Sequence, residues 1–96
     1  MLILKSLSRG PMHGYAIAEH IHQMSEDVLE VEEGSLYPAL QRLLLQGWVL
    51  AEWGQSENNR RARFYRMTAA GRKQLERELS EFHRVIRAIS RVIQTA

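Results

Sequence analysis

Three arginines stand close together in one short polar segment, and their side chains are suited to binding phosphate. The segment is "NNRRAR", residues 58–63, and the arginines are Arg60, Arg61 and Arg63. A guanidinium keeps its positive charge and can donate two parallel hydrogen bonds to one phosphate group. Guanidiniums this close also repel one another, and a polyanion would relieve that repulsion. The alternative interpretation is an ordinary solvated turn.

A second set of candidate contact residues lies in "GSLYPALQRLLLQGWV", residues 34–49. The leucine spacing predicts a helix over about 35–46 that ends at Gly47. Away from the leucines lies a face whose polar side chains can reach phosphates or base edges. The candidates on this face are Ser35, Tyr37, Pro38, Gln41 and Arg42. The alternative is that Ser35 only caps the helix, Tyr37 seals the margin of the core and Arg42 is solvated.

Pro38 is unusual within a helix, and its position decides whether it can be tolerated. We expect Ser35 to be the N-cap, which would place Pro38 at the third helical position. The N–H groups of a first turn have no acceptor inside the helix, so a proline costs little there. A helix start also presents free N–H groups and the positive end of the helix dipole, and both favour phosphate.

The sequence offers no recognisable catalytic or metal-binding arrangement, so we expect neither enzyme activity nor a cofactor. There are no cysteines, which excludes thiolate metal sites and thiol catalysis. His20 and His22 are two positions apart on a predicted helix, about 200° around it, so they cannot share a metal ion. No glycine-rich phosphate loop or paired-carboxylate site is evident.

The predicted fold that must position these side chains is mainly α, with a small β-hairpin. We expect helices over 1–8, 13–24 and 35–46, strands over 48–54 and 63–68, and a long helix that follows Thr68 as its N-cap. Three helices followed by a two-stranded hairpin are the arrangement of a winged helix-turn-helix protein, in which the hairpin is the wing.

The final helix carries an unbroken heptad stripe of apolar residues. Its members alternate between spacings of four and three residues: Leu75, Leu79, Phe82, Ile86, Ile89 and Ile93. We expect no other element of this small fold to cover the stripe. A second copy of the chain is the economical partner, so we predict a homodimer formed through this helix.

Charge is divided unevenly along a chain whose net charge is only +2. Residues 19–33 hold six acidic side chains and no lysine or arginine, whereas residues 60–91 hold ten of the thirteen lysines and arginines. Such a chain can present a basic face to a polyanion while it stays near neutral overall. The apolar start before Lys5 is too short for a signal peptide or a membrane span, so we expect a cytoplasmic protein with no membrane partner.

Three motifs, in this order, resemble the PadR family of bacterial transcriptional regulators. They are "HGYAIAEHI" at 13–21, "EEGSLYPALQRLLLQGWV" at 32–49 and "RFYRMTAAGRKQL" at 63–75. The middle motif is the most specific, and the resemblance covers about residues 2–80. Details such as "ENNRRARFYRMTAAG" look most like the short acidobacterial-type subgroup.

The resemblance implies a homodimeric winged-helix repressor that binds a roughly palindromic operator in double-stranded DNA. By motif, the third helix and the wing would contact DNA, and His13 and Tyr15 would lie near the DNA backbone or the edge of the core. Some relatives release DNA when a small aromatic compound binds, which makes such an effector a candidate partner. We therefore expect a DNA-binding domain at 1–68 and a dimerisation helix at 69–96.

A winged-helix module that binds another protein is the alternative function. There, the exposed start of the third helix and the heptad helix would hold the partner, and the wing arginines would meet acidic residues. The small net charge of +2 leaves this alternative open.

Overall fold

The computed structural model describes residues 1–95 and follows the predicted order of elements. In chain order these are α1 (Leu2–Leu7), β1 (Met12–His13), α2 (Gly14–Met24), α3 (Glu33–Leu45), β2 (Val49–Gln55), β3 (Arg61–Met67) and α4 (Ala69–Thr95). Apart from β1, which was not expected, each element begins and ends within about two residues of its predicted bounds. Ala96, the last residue of the predicted 69–96 segment, lies outside the described residues.

The core is formed where α1, α2, α3 and β2 meet around fully buried aliphatic side chains. Leu4, Ile17, Leu36, Leu40 and Val49 are each at most 1% exposed. Complete burial of such a side chain stabilises the folded state by about 1.5–3 kcal/mol relative to leaving the side chain in water. These contacts hold α3 against α2 by its leucine face and leave the opposite face of α3 in solvent.

The sheet has three strands, not the two that the sequence predicted. β3 lies in the middle and pairs in antiparallel fashion with β2 on one side and with β1 on the other. In β1, Met12 pairs with Tyr65 and His13 with Phe64, which ties the start of α2 to the hairpin. A strand of two residues is too short to show an alternating pattern, so the sequence alone could not reveal it.

The start of α3 corrects the expected roles of Ser35 and Pro38. The N-cap is Glu32, whose carbonyl oxygen accepts hydrogen bonds from the N–H groups of Ser35 and Leu36 at 3.0 and 2.9 Å. Ser35 is therefore inside the helix, and Pro38, at the sixth position counted from Glu33, is not in the first turn. Because proline has no N–H, the carbonyl of Gly34 loses its usual partner four residues ahead. The prediction failed because the helix is capped three residues before Ser35, at Glu32, by a backbone carbonyl and with no side-chain hydrogen bond.

Thr68 caps α4, as expected, and also ties this helix to the connection between α3 and β2. Its hydroxyl accepts a hydrogen bond from the N–H of Gly71 at 3.0 Å and donates one to the carbonyl of Gly47 at 2.7 Å. A β-carbon on Gly71 would lie 2.0 Å from the carbonyl oxygen of Trp48, so the close approach of α4 requires glycine there.

Only the first part of the heptad stripe on α4 is covered within one chain. Leu75 is buried and Leu79 is partly buried against the core. The rest is open to solvent, with exposed fractions of 43% for Phe82, 43% for Ile86, 49% for Ile89 and 70% for Ile93. A helix of 27 residues spans about 40 Å, so its second half extends well beyond the core.

The outer face of α4 carries ordinary solvated charges. Glu81 and Arg84 form an ion pair on this face. The hydrogen bond from Arg84 holds the pKa of the Glu81 carboxyl below its usual value. Within residues 1–95, no helix is both long enough and apolar enough to span a membrane.

Candidate nucleic-acid interface

The face of α3 that points away from the core is exposed to solvent. Its exposed residues include all five that the sequence singled out on this helix: Ser35, Tyr37, Pro38, Gln41 and Arg42. They occupy positions one turn apart along the helix, so a ligand that lies along α3 can meet several of them together. Leu45 continues this face and is 77% exposed, which leaves one apolar side chain among the polar ones.

Tyr37 has two environments, because its ring packs on α2 while part of the side chain stays exposed. A β-carbon at Gly14 would lie 2.9 Å from the Tyr37 hydroxyl oxygen and 3.1 Å from two of its ring carbons. The ring therefore lies against the backbone at the first residue of α2. With 47% of its surface still exposed, Tyr37 both spaces α3 from α2 and stays accessible to a ligand.

His13 and Tyr15 lie together at the start of α2. His13 is the N-cap, and its Nδ1 accepts a hydrogen bond from the N–H of Ala16 at 3.2 Å. Its ring stacks on Tyr15 at a centroid distance of 6.5 Å and meets the edge of Phe64 at 5.4 Å. His13 is thus fixed from three sides, whereas Tyr15 is 68% exposed and faces the same solvent as the start of α3.

The wing consists of β2, β3 and the turn at 56–60 between them. Its three candidate arginines, Arg60, Arg61 and Arg63, are exposed, and none forms an ion pair with an acidic group of residues 1–95. Arg66 differs, since it donates to Glu52 at 3.1 Å on the neighbouring strand. The wing therefore offers three positive charges that no acidic side chain of the described chain neutralises.

The turn of the wing is closed by its own hydrogen bonds. The N–H of Ser56 donates to the carbonyl of Arg60 at 2.8 Å, and the N–H of Asn59 donates to the carbonyl of Ser56 at 3.0 Å. Asn59 has a φ of 58°, a left-handed conformation that asparagine adopts more readily than most residues. The arginines are thus held on an ordered hairpin.

An open groove of about 340 Å³ separates the wing from the helix starts. Tyr15 and Tyr37 line it on the helix side, and Trp53, Arg61 and Arg63 line it on the wing side. Five of the candidate residues therefore line one groove: His13, Tyr15, Tyr37, Arg61 and Arg63. The arrangement provides aromatic surfaces, hydroxyls and guanidiniums, which are groups that contact phosphates and sugars. Among residues 1–95, no group of three His, Cys, Asp or Glu side chains is placed to hold a metal ion.

A known family matches most of this architecture. The model of the "Transcriptional regulator PadR-like family" matches residues 3–77, from α1 into the first part of α4. The chain belongs to this family. Its members are transcriptional regulators.

The chain is also similar to other proteins in sequence and in structure. An uncharacterized 37.1 kDa protein in transposon TN4556 of Streptomyces fradiae is 42% identical over 96 residues. That match covers 100% of this PadR-like chain and 25% of the relative, so the chain spans a quarter of that protein's length. A PadR family transcription regulator from Clostridium difficile is 26% identical with a TM-score of 0.81, over 96% of this chain and 94% of that one.

The fold is also that of Bacillus subtilis PadR, whose crystal structure is a complex with operator DNA. The identity is 22% and the TM-score is 0.71, over 81% of this chain and 43% of that one. The predicted winged helix-turn-helix with a long C-terminal helix is thereby confirmed.

One residue of this face was not among the predicted contacts. Trp53 is 63% exposed on the inner wall of the wing, beside Arg61. Its position next to Arg61 could not be predicted from the sequence, because that position depends on how β2 pairs with β3.

Proposed function

We propose that this PadR-like chain is a homodimeric DNA-binding regulator, a repressor that holds a roughly palindromic operator. The observation that carries the proposal is the groove where Tyr37 of α3 adjoins Arg61 and Arg63 of the wing, two arginines with no ion-pair partner among residues 1–95. In winged-helix proteins, the third helix enters the major groove and the wing lies on the adjacent backbone or minor groove. Bacillus subtilis PadR, which has the same fold, was crystallised with operator DNA.

The polar side chains of α3 would read the DNA sequence. Gln41 and Arg42 are exposed near the C-terminal end of α3 and are of types that pair with adenine and guanine edges in the major groove. Ser35 lies nearly two turns earlier and would contact a base edge or a phosphate. Tyr37 and Pro38 would pack against the sugar–phosphate backbone beside them.

The wing arginines and the start of α2 would supply the contacts that do not depend on sequence. Arg60, Arg61 and Arg63 would bind phosphates, and each such contact releases counterions from the duplex. His13 and Tyr15 would approach the backbone across the groove from the wing. This division makes affinity dependent on salt and leaves sequence preference to α3.

The exposed stripe on α4 supports the dimer. Soluble monomers rarely expose a continuous apolar stripe of this length, and heptad spacing is the pattern that pairs two helices. Val85 and Val92, exposed by 41% and 70%, widen the stripe on one side. Two copies joined through α4 would present two third helices, which a palindromic site requires about 34 Å apart.

Within this proposal, residues 1–68 form the DNA-binding domain and residues 69–96 the dimerisation helix. The first turns of α4 belong physically to both, because Gly71 and Leu75 are buried against the rest of the fold. A movement of α4 would therefore be transmitted to the wing and α3. A small aromatic effector that binds between the two helices would act through this connection, a part of the proposal that is supported by family resemblance.

The test is a titration of fluorescent duplex DNA from upstream of the protein's own gene, with random duplex as control, at several salt concentrations. We expect tighter binding to the upstream duplex and a steep loss of affinity with salt. The alternative of a protein-interaction module makes a different prediction. It predicts early elution from heparin at low salt and no measurable binding to either duplex.

A further inference from the structure

Two guanidiniums on the inner face of the wing lie over aromatic rings. Cζ of Arg61 is 4.8 Å from the centroid of the Trp53 ring, and Cζ of Arg63 is 5.8 Å from that of Tyr65. The strand register explains the arrangement. Trp53 pairs with Arg63, and the next pair on the same face joins Gln55 to Arg61, so Arg61 lies diagonally across from Trp53.

The packing of the fold does not account for Trp53. On the same face of β2, Val49 is buried and Ala51 is partly buried, but Trp53 lies beyond the core and is 63% exposed. Trp48, the other tryptophan of the chain, packs against the core instead. The strand would form equally well with a polar residue at this exposed position. The large aromatic surface of Trp53 therefore points to a role other than folding.

The stacked geometry suits an arginine that must bind phosphate. A guanidinium that lies over an indole is attracted to the ring face, and its N–H groups still point outwards in its own plane. Those N–H groups can donate to a phosphate while the stack persists. Because the side chain is already restricted in its rotamers, less conformational entropy is lost when the contact forms.

We propose that Trp53 is a positioning residue that holds Arg61 ready for a DNA phosphate at the wing wall of the groove. The inference rests on the proposed DNA binding and adds to it a residue that would not contact a base. Trp53 would act through Arg61, so its effect on binding requires that guanidinium. It would raise affinity for specific and random duplex equally, because a phosphate contact carries no sequence information.

A double-mutant cycle tests the proposal on the full-length protein with duplex DNA. Trp53→Leu should weaken binding by roughly two- to fivefold, the factor expected from one exposed cation–π pair. Trp53→Phe should keep most of the affinity, because it keeps a ring face. In the Arg61→Ala background, Trp53→Leu should cause no further loss. Leu50→Ala, on the outer face of the same strand, is the matched control and should leave affinity unchanged.

Three results would overturn the positioning role while DNA binding itself stands. One is that Trp53→Leu lowers DNA affinity by the same factor whether or not the Arg61 side chain is present. Another is a Trp53→Phe variant as weak as Trp53→Leu, and the third is the same loss from Leu50→Ala. Failure of the unmodified protein to bind any duplex would instead overturn the proposed function on which the inference rests. Unchanged thermal melting of Trp53→Leu is expected, since the side chain is largely outside the core.

Discussion

The phenol ring of Tyr37 lies against the backbone of Gly14, so this ring separates the first residue of α2 from the second turn of α3. This contact sets the distance between two helix starts that both border the groove. A tyrosine at this position therefore has a structural role in addition to any contact it makes with DNA. A substitution at Gly14 can separate the two roles, because it moves the tyrosine ring without removing it.

Gly14→Ala should displace the Tyr37 ring and weaken DNA binding severalfold. The new β-carbon would come within 2.9 Å of the hydroxyl oxygen, and a side-chain end can move away at modest cost. Alanine also favours a helix over glycine by about 1 kcal/mol, so we expect little change in the free energy of unfolding. Duplex titrations and urea unfolding measure the two effects. For comparison, Gly34→Ala meets open space and should only raise stability. Undiminished DNA affinity in Gly14→Ala would show that the position of Tyr37 does not matter.

Arg61→Ala should lower affinity for specific and random duplex by the same factor. Loss of one phosphate contact should also reduce the slope of log affinity against log salt by about 0.9. Binding measured across a salt series gives both quantities. Arg66→Ala removes an arginine of the same strand whose guanidinium already pairs with Glu52, and it should change the slope much less. Equal slope changes in the two variants would contradict the assignment of the phosphate contact to Arg61.

Ile89→Glu should convert the dimer to a monomer and abolish tight operator binding together. The side chain is 49% exposed in the single chain, so the change should cost the monomer little, but a charge in an apolar seam would be buried without a partner. Sedimentation or light scattering reports the mass. Ser80→Glu introduces the same charge on the opposite, exposed side of α4 and should remain dimeric. A dimeric Ile89→Glu protein would exclude this stripe as the interface.

Thr68→Ala should destabilise the fold by about 1 kcal/mol, the usual cost of losing an N-cap side chain. The hydroxyl both caps α4 and bonds to the carbonyl of Gly47, so the attachment of α4 weakens as well. Urea unfolding measures the loss, and Thr68→Ser should restore most of it because the hydroxyl is kept. If serine were as destabilising as alanine, the methyl group would be the stabilising part.

The sequence was sufficient to predict the helices, the hairpin and the cap at Thr68, because each depends on local spacing or on a local hydrogen bond. The start of α3 was misplaced because Ser35 is a favoured capping residue, whereas the observed cap at Glu32 uses only its backbone carbonyl. Strand β1 was missed because its pairing partners lie about fifty residues away on β3.

In the candidate site, too, local features could be predicted from the sequence and contacts between distant segments could not. Exposure of the predicted residues on α3 and the wing follows from local patterns, and the structure has them on the surface. The contacts between Tyr37 and Gly14 and between Trp53 and Arg61 join segments that are distant in sequence. Such contacts depend on the crossing of helices and on strand register, neither of which a single sequence specifies.

Selection from a randomised duplex library is the measurement that tests the central claim most directly. The protein is mixed with the library at moderate salt, the bound fraction is amplified, and the cycle is repeated before sequencing. A two-fold symmetric motif should emerge, with half-sites about one helical turn apart, as a dimer with one third helix in each major groove requires. Enrichment of no motif, or of a single motif without symmetry, would contradict a dimeric, sequence-specific DNA-binding regulator.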